Sequence, residues 1–184
     1  MKYSDTQVEQ TINILLSGGV VVMPTDTVYG LVCSALSPSA VKRMYEVKER
    51  VGKPGTVIAG SEQQLLDMGF KEAEVETASQ FWPGPVSVIL SAEDSLEYLH
   101  MGKKSLAVRI PDLDWLNEIL LKTGPLATTS ANLPGEPTVT IIDQAKKLFG
   151  DKVDYYSDGG EILGVKPSKI VKIDQNGEIK ILRP

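Results

Sequence analysis

One cysteine, Cys33, stands in the 184 residues, so no internal disulfide can staple this fold, and the usage fits a reducing cytosol. Histidine is equally scarce, with His100 alone. One Cys and one His support neither a zinc site nor a Ser-His or Cys-His nucleophile pair. The apolar runs are too short to span a bilayer, and Met1-Lys2-Tyr3-Ser4-Asp5 lacks the basic-then-apolar layout of a secretory leader. The expected location is therefore cytoplasmic. Neither G-x-x-x-x-G-K-[ST] nor G-x-G-x-x-G occurs, so no P-loop or dinucleotide fingerprint is indicated. Positive charge is also in short supply: 19 Lys and Arg face 24 Asp and Glu, and the net charge of −5 argues against indiscriminate nucleic-acid binding.

What is present reads as one α/β domain over residues 1–184, with a mixed sheet, because hairpin strands sit among helix-connected ones. Ser4 with Gln7 forms a capping-box pattern ahead of Val8, Ile12, Leu15 and Leu16 at helical spacing, and Gly18-Gly19 stops the helix. Val20-Val21-Val22-Met23 reads as a buried strand that runs into a loop at 24–31. Ser37-Pro38 starts a second helix that ends at Lys48-Glu49-Arg50. Short strands are expected at 56–59, 86–90, 105–110 and 126–129, and helices at 62–68, 72–80, 113–120 and 141–148. Residues 92–104 read as a polar connection, and the tail as a hairpin turning at Asp174–Gly177.

Polar side chains gather at the ends of these strands. Pro24-Thr25-Asp26-Thr27-Val28-Tyr29-Gly30-Leu31 places hydroxyls and a carboxylate beyond a strand's carboxyl end, where open α/β sheets hold ligands; an ordinary capped turn is the alternative. Lys48 and Arg50, with Lys53 beyond, are cations at a helix C-terminus, which its dipole favours unaided; functionally they suit a phosphate clamp. Thr128-Thr129-Ser130-Ala131-Asn132 offers hydroxyl and amide donors to an anion, or else caps its own turn. Arg109, alone among apolar strand residues, needs a partner: a protein carboxylate or a substrate's. Asp158-Gly159-Gly160, Pro167-Ser168-Lys169 and Arg183 complete the set, although Arg183 could equally be a solvated end. Cys33 reads as a small buried hydrophobe.

Taken in order, PTDTVYGL at 24–31, KER at 48–50, WPGPVSVIL at 82–90, SLAVRIP at 105–111, TTSAN at 128–132, DGG at 158–160 and LRP at 182–184 resemble the YrdC family of threonylcarbamoyl-AMP synthases, the TsaC type. The resemblance covers nearly the whole chain. It implies a twisted mixed sheet flanked by helices around a large concave basic cavity. It also implies an enzyme that joins L-threonine, bicarbonate and ATP into threonylcarbamoyl-adenylate and pyrophosphate, with Mg²⁺ on the ATP. Other proteins would then carry the group to adenosine 37 of tRNA, and tRNA or double-stranded RNA would be a further partner. By motif position, Lys48 and Arg50 would be catalytic. ATP would meet Lys48, Arg50, Lys53, Ser105, Asn132, Thr140 and Arg183; threonine would meet Thr27, Arg109, Ser130 and Ser168. Val51-Gly52-Lys53-Pro54, Ser87, Pro134 and Lys169 depart from the family's usual residues. Two other functions fit the same residues: an RNA-binding module of this fold without catalysis, or adenylation of a different carbamoyl-type acid.

Overall fold

The computed structural model describes residues 3–174 and 178–184, and the expected turn of the C-terminal hairpin lies mostly outside them. Helix α1 (Asp5–Leu16) begins with the expected box, Ser4 accepting from the Gln7 amide while Gln7 accepts from the Ser4 amide. Strands β1 (Val21–Met23) and β2 (Gly30–Ser34) flank the 24–29 loop. Here the sequence reading is corrected: Gly30 and Leu31 begin a strand instead of ending a loop. Their run Gly-Leu-Val-Cys is buried on both faces between β1 and β6, so it carries no alternation to reveal it.

Helix α2 (Pro38–Val47), strand β3 (Thr56–Ile58), helices α3 (Glu62–Asp67) and α4 (Glu72–Ser79) and strand β4 (Val86–Ser91) follow. The stretch read as a polar connection holds a short helix, α5 (Glu97–His100), whose His100 is buried and accepts at Nδ1 from the amides of Gly102 and Lys104. Then come β5 (Ser105–Arg109), α6 (Asp114–Thr123), β6 (Leu126–Ser130), α7 (Ile142–Phe149), β7 (Tyr155–Tyr156), β8 (Lys169–Ile173) and β9 (Ile179–Arg183). Among the described residues no helix is long and apolar enough to cross a membrane.

All the described strands join one mixed sheet, ordered β7-β1-β2-β6-β3-β5-β4-β8-β9. Its two faces are treated differently. One carries the larger core, Val22, Leu31, Val57, Val108, Ala127 and Val171 packing against α2, α4, α5 and α7. On the other face α1 and α6 cover only Val21, Met23, Val32, Ile58 and Leu126. The rest of that face is bare, and the registers Thr56↔Ala107, Thr56↔Thr128 and Gly30↔Ser130 place those residues side by side on it.

Candidate functional site

The bare half of the face is the floor of a cavity of about 130 Å³. Thr56, Ala107, Arg109, Thr128, Ser130, Gly30, Ile170 and Arg183 come from the strands, and Thr25, Thr27, Arg50, Pro54, Gly55 and Ser168 from the loops. The change from covered to open is written into single strands: on this face β6 reads Leu126, Thr128, Ser130, and β3 reads Ile58, then Thr56.

Thr25 shapes the loop after β1: its Oγ1 donates to Val28 O at 2.7 Å and accepts from the Thr27 amide at 3.2 Å, which holds Thr27 at the wall. Arg50 is tied at all three nitrogens. Nε donates to Lys53 O, Nη1 to Thr129 Oγ1 at 2.6 Å, and Nη2 to Pro54 O at 2.6 Å. Five guanidinium N–H groups leave two for a ligand. Arg183 donates from Nε to Ser168 O at 2.8 Å and from Nη2 to Ser168 Oγ at 3.0 Å, and that hydroxyl stands 3.0 Å from Ser87 Oγ. Burial lowers the pKa of both arginines, and Arg183 feels Arg50 as well.

Arg109 is 3% exposed, and its Nη2 stands 3.0 Å from Asp26 Oδ1. No N–H is aligned for a hydrogen bond: both Asp26 oxygens and Arg109 Nε lack a partner. Burial pushes the Asp26 carboxyl up and the Arg109 guanidinium down, in each case outweighing the pull of the other. The protein carboxylate weighed for Arg109 is thus present, and Arg109 lines the cavity as well.

Of the residues expected at the site, Thr27, Arg50, Arg109, Ser130, Ser168 and Arg183 meet here, while Lys48, Lys53, Ser105, Asn132 and Thr140 do not line the wall. Lys48 is 4% exposed, and its Nζ donates to Ser130 O at 2.7 Å, Asn132 O at 2.5 Å and Asn132 Oδ1 at 2.5 Å. Those are all the donors an ammonium has. Asn132 is half-buried, its amide accepting from Ser130 Oγ at 2.7 Å and donating to Glu136 O. Lys53 is exposed. Ser105 shares the face of Ala107 and Arg109 but sits at the far end of β5, lining a separate hollow with Lys103, Lys104 and Lys172. Thr140 donates its amide to Gln144 ahead of α7. Cys33 is buried, its thiol pushed up to about 12, which keeps it from serving as a nucleophile.

Sequence reasoning named no role for Thr56, Gly55 or Ala107, while the capped turn weighed for Thr25 is present. Ala107 and Thr56 carried a weak signal, a small residue two before Arg109 and a hydroxyl in an otherwise apolar strand; their pairing belongs to the register.

A family model covering Sua5, YciO and YrdC proteins, described as telomere recombination, matches residues 13–184. The threonylcarbamoyl-AMP synthase of Marinobacter nauticus is 34% identical over 86% of this chain and 87% of its own length. That of Vibrio campbellii is 31% identical over 88% and 91%. The crystal structure of P. abyssi Sua5 complexed with L-threonine superposes with a TM-score of 0.87 at 29% identity, over all of this chain and 55% of that one. E. coli YciO, at 24% identity, has the same fold, with a TM-score of 0.82.

Proposed function

This chain belongs to the Sua5/YciO/YrdC family, and on that premise we propose that it is a threonylcarbamoyl-AMP synthase that converts L-threonine, bicarbonate and ATP into threonylcarbamoyl-adenylate and pyrophosphate. The observation that carries the reading is the convergence of Thr27, Arg50, Arg109, Ser130, Ser168 and Arg183, from six separate segments, on one cavity whose wall, among the described residues, holds three arginines and no Asp or Glu.

In this reading Arg109 pairs the threonine carboxylate, while Thr27, Ser130 and Ser168 supply hydroxyls. The threonine amine takes up the carbon of bicarbonate with loss of water. A carbamate oxygen then attacks the α-phosphorus, and the bond to pyrophosphate breaks. Among the described residues neither His nor a free lysine amine lines the wall, so rate enhancement rests on holding the reactants together and on Arg50 and Arg183 neutralising charge as the pyrophosphate departs. Lys48 serves from behind, shaping the Ser130–Asn132 loop. Among the described residues no cluster of Asp, Glu, His or Cys could hold a metal ion. Mg²⁺ would therefore arrive on the triphosphate, held by phosphate oxygens and water. Passage of the threonylcarbamoyl group to tRNA would fall to other proteins.

Incubation of the purified protein with ATP, Mg²⁺, bicarbonate and radiolabelled threonine tests this. Pyrophosphate release that depends on threonine is expected. Binding of tRNA or double-stranded RNA without turnover would favour the RNA-binding alternative, and turnover with another carbamoyl-type acid but not threonine would move the substrate.

A further inference from the structure

The three arginines of the cavity keep different company. Arg50 donates to the carbonyls of Lys53 and Pro54 and to a threonine hydroxyl, and Arg183 to the carbonyl and hydroxyl of Ser168. Every one of those partners is neutral. Arg109 faces a carboxylate, Asp26, 3.0 Å away, with side-chain exposures of 4% and 6% for the pair. Exposed Asp112 adds its negative field to Asp26. The cavity is therefore uneven: Arg50 and Arg183 have only neutral partners, whereas Arg109, which also feels the charge of Arg183, has a carboxylate beside it.

We propose that Asp26 divides the cavity: by countering Arg109 it reserves that end for the zwitterion of an amino acid and keeps phosphate groups at the Arg50–Arg183 end. The proposal rests on the reading above, in which an amino acid and a nucleoside triphosphate share one small hollow. Such a site must keep the polyanion off the amino-acid subsite, because three bare arginines would bind phosphate anywhere along the wall. A phosphate beside Arg109 meets the like charge of Asp26 in a desolvated setting, which is strongly disfavoured. An α-amino acid carries its ammonium one carbon from its carboxylate, so an adjacent arginine and aspartate complement it. At this end Arg109 Nε and both Asp26 oxygens are buried without a hydrogen-bond partner, so charge alone holds the pair together. Asp26 is not on the wall itself and acts through Arg109, so it is a positioning and selectivity residue.

Calorimetry of the full chain with L-threonine and inorganic tripolyphosphate as probes tests this in wild type, Asp26→Asn and Asp26→Glu. In wild type, saturating tripolyphosphate is expected to leave the threonine Kd within about twofold, since the two occupy different ends. Asp26→Asn is expected to bind tripolyphosphate roughly tenfold more tightly, and the anion should then compete with threonine. Asp26→Glu, which keeps the charge, should restore the wild-type pattern. A merely structural aspartate would weaken both ligands and strengthen neither. Unchanged or weaker tripolyphosphate binding in a folded Asp26→Asn overturns the proposal. So does competition between the two probes in wild type, a measurement that decides the matter even if Asp26→Asn does not fold. A wild type that neither binds threonine nor releases pyrophosphate rejects the assigned reaction instead, and the tripolyphosphate comparison of wild type with Asp26→Asn still judges Asp26.

Discussion

Replacing Lys48 by methionine separates two roles for a lysine that the sequence places in a phosphate clamp. Methionine keeps the unbranched stem in its buried channel and removes the charge with its three donors. Their acceptors fare unequally: Ser130 O also receives the Asn132 amide at 3.0 Å, and Asn132 Oδ1 also receives Ser130 Oγ at 2.7 Å. Among the described residues, Asn132 O receives the ammonium alone, at 2.5 Å. Orphaning that carbonyl costs about 1–3 kcal/mol, and two charge-assisted bonds worth about 1.5–3 kcal/mol each are lost, offset by the desolvation a buried ammonium no longer bears. A net loss of about 2–4 kcal/mol follows, concentrated in the 130–132 loop. For a chain of 184 residues this corresponds to a Tm lower by roughly 5–12 °C. Ser130 shifts with the loop, so threonine-dependent pyrophosphate release should fall with both substrates affected. Thermal melts and KM values for ATP and threonine provide the check. A Tm within a degree of wild type, with the KM for ATP alone raised, would show that Lys48 touches phosphate and that the loop-clamp reasoning is wrong.

Arg50→Ala should lower turnover by roughly 10²–10³, the range for losing one donor to developing charge, with an unchanged far-UV spectrum because its partners sit in loops and at a strand end; unaltered turnover would remove Arg50 from the site. Gly55→Ala places a Cβ 2.7 Å from the Thr128 carbonyl oxygen, and the overpacking should cost about 1–3 kcal/mol, read as a lower urea midpoint. The Lys48 ammonium, pushed down from 10.5 to about 8 mainly by burial and then by Arg50, gives a pH prediction of stated sign. Between pH about 8 and 10.5 the unfolded chain holds this proton and the folded chain does not, so its contribution to stability rises with pH there. The neutral amine meanwhile has one donor fewer for the loop, so activity should decline above pH about 8 while the Tm does not fall on this group's account, and Lys48→Met should lack that decline.

Much of the fold could be read from local chemistry. The Ser4–Gln7 box and Ser37-Pro38 mark helix starts because capping is decided within four residues, and Ser37 Oγ does accept from the Ala40 amide. Strand β2 escaped because Gly30 resembles a terminator and because one of the two strands that bury it, β6, lies far along the chain. His100 falls in the stretch read as a polar connection, yet its ring organises the turn at Gly102–Lys104. The site was legible as residue types and not as contacts. Arg109 announced its need for an anion, but only the tertiary structure brings Asp26 to it, and only the accounting of its three donors sets Lys48 behind the wall.

The acidic average of the chain and the cationic wall of its cavity are reconciled by one feature of the sheet. A strand paired on both sides has two faces, and each face must be covered by helices or left polar. Helices α1 and α6 stop short, and the strands beneath change register partners from Leu126 and Ile58 to Thr128 and Thr56 at the same level. Charge can be left there without a carboxylate partner because loop carbonyls and hydroxyls, those of Lys53, Pro54, Thr129 and Ser168, hold the guanidinium groups in place without neutralising them. Had Arg50 and Arg183 stood beside aspartates, as Arg109 does, the wall would carry no net charge to offer a triphosphate. The net charge of −5 thus resides on surfaces other than the wall. It follows that neutral-to-acidic substitutions at Thr129 or Ser168 should suppress triphosphate binding far more than the same change on an exposed helix, since at those positions the new carboxylate would stand beside an arginine that has only neutral partners.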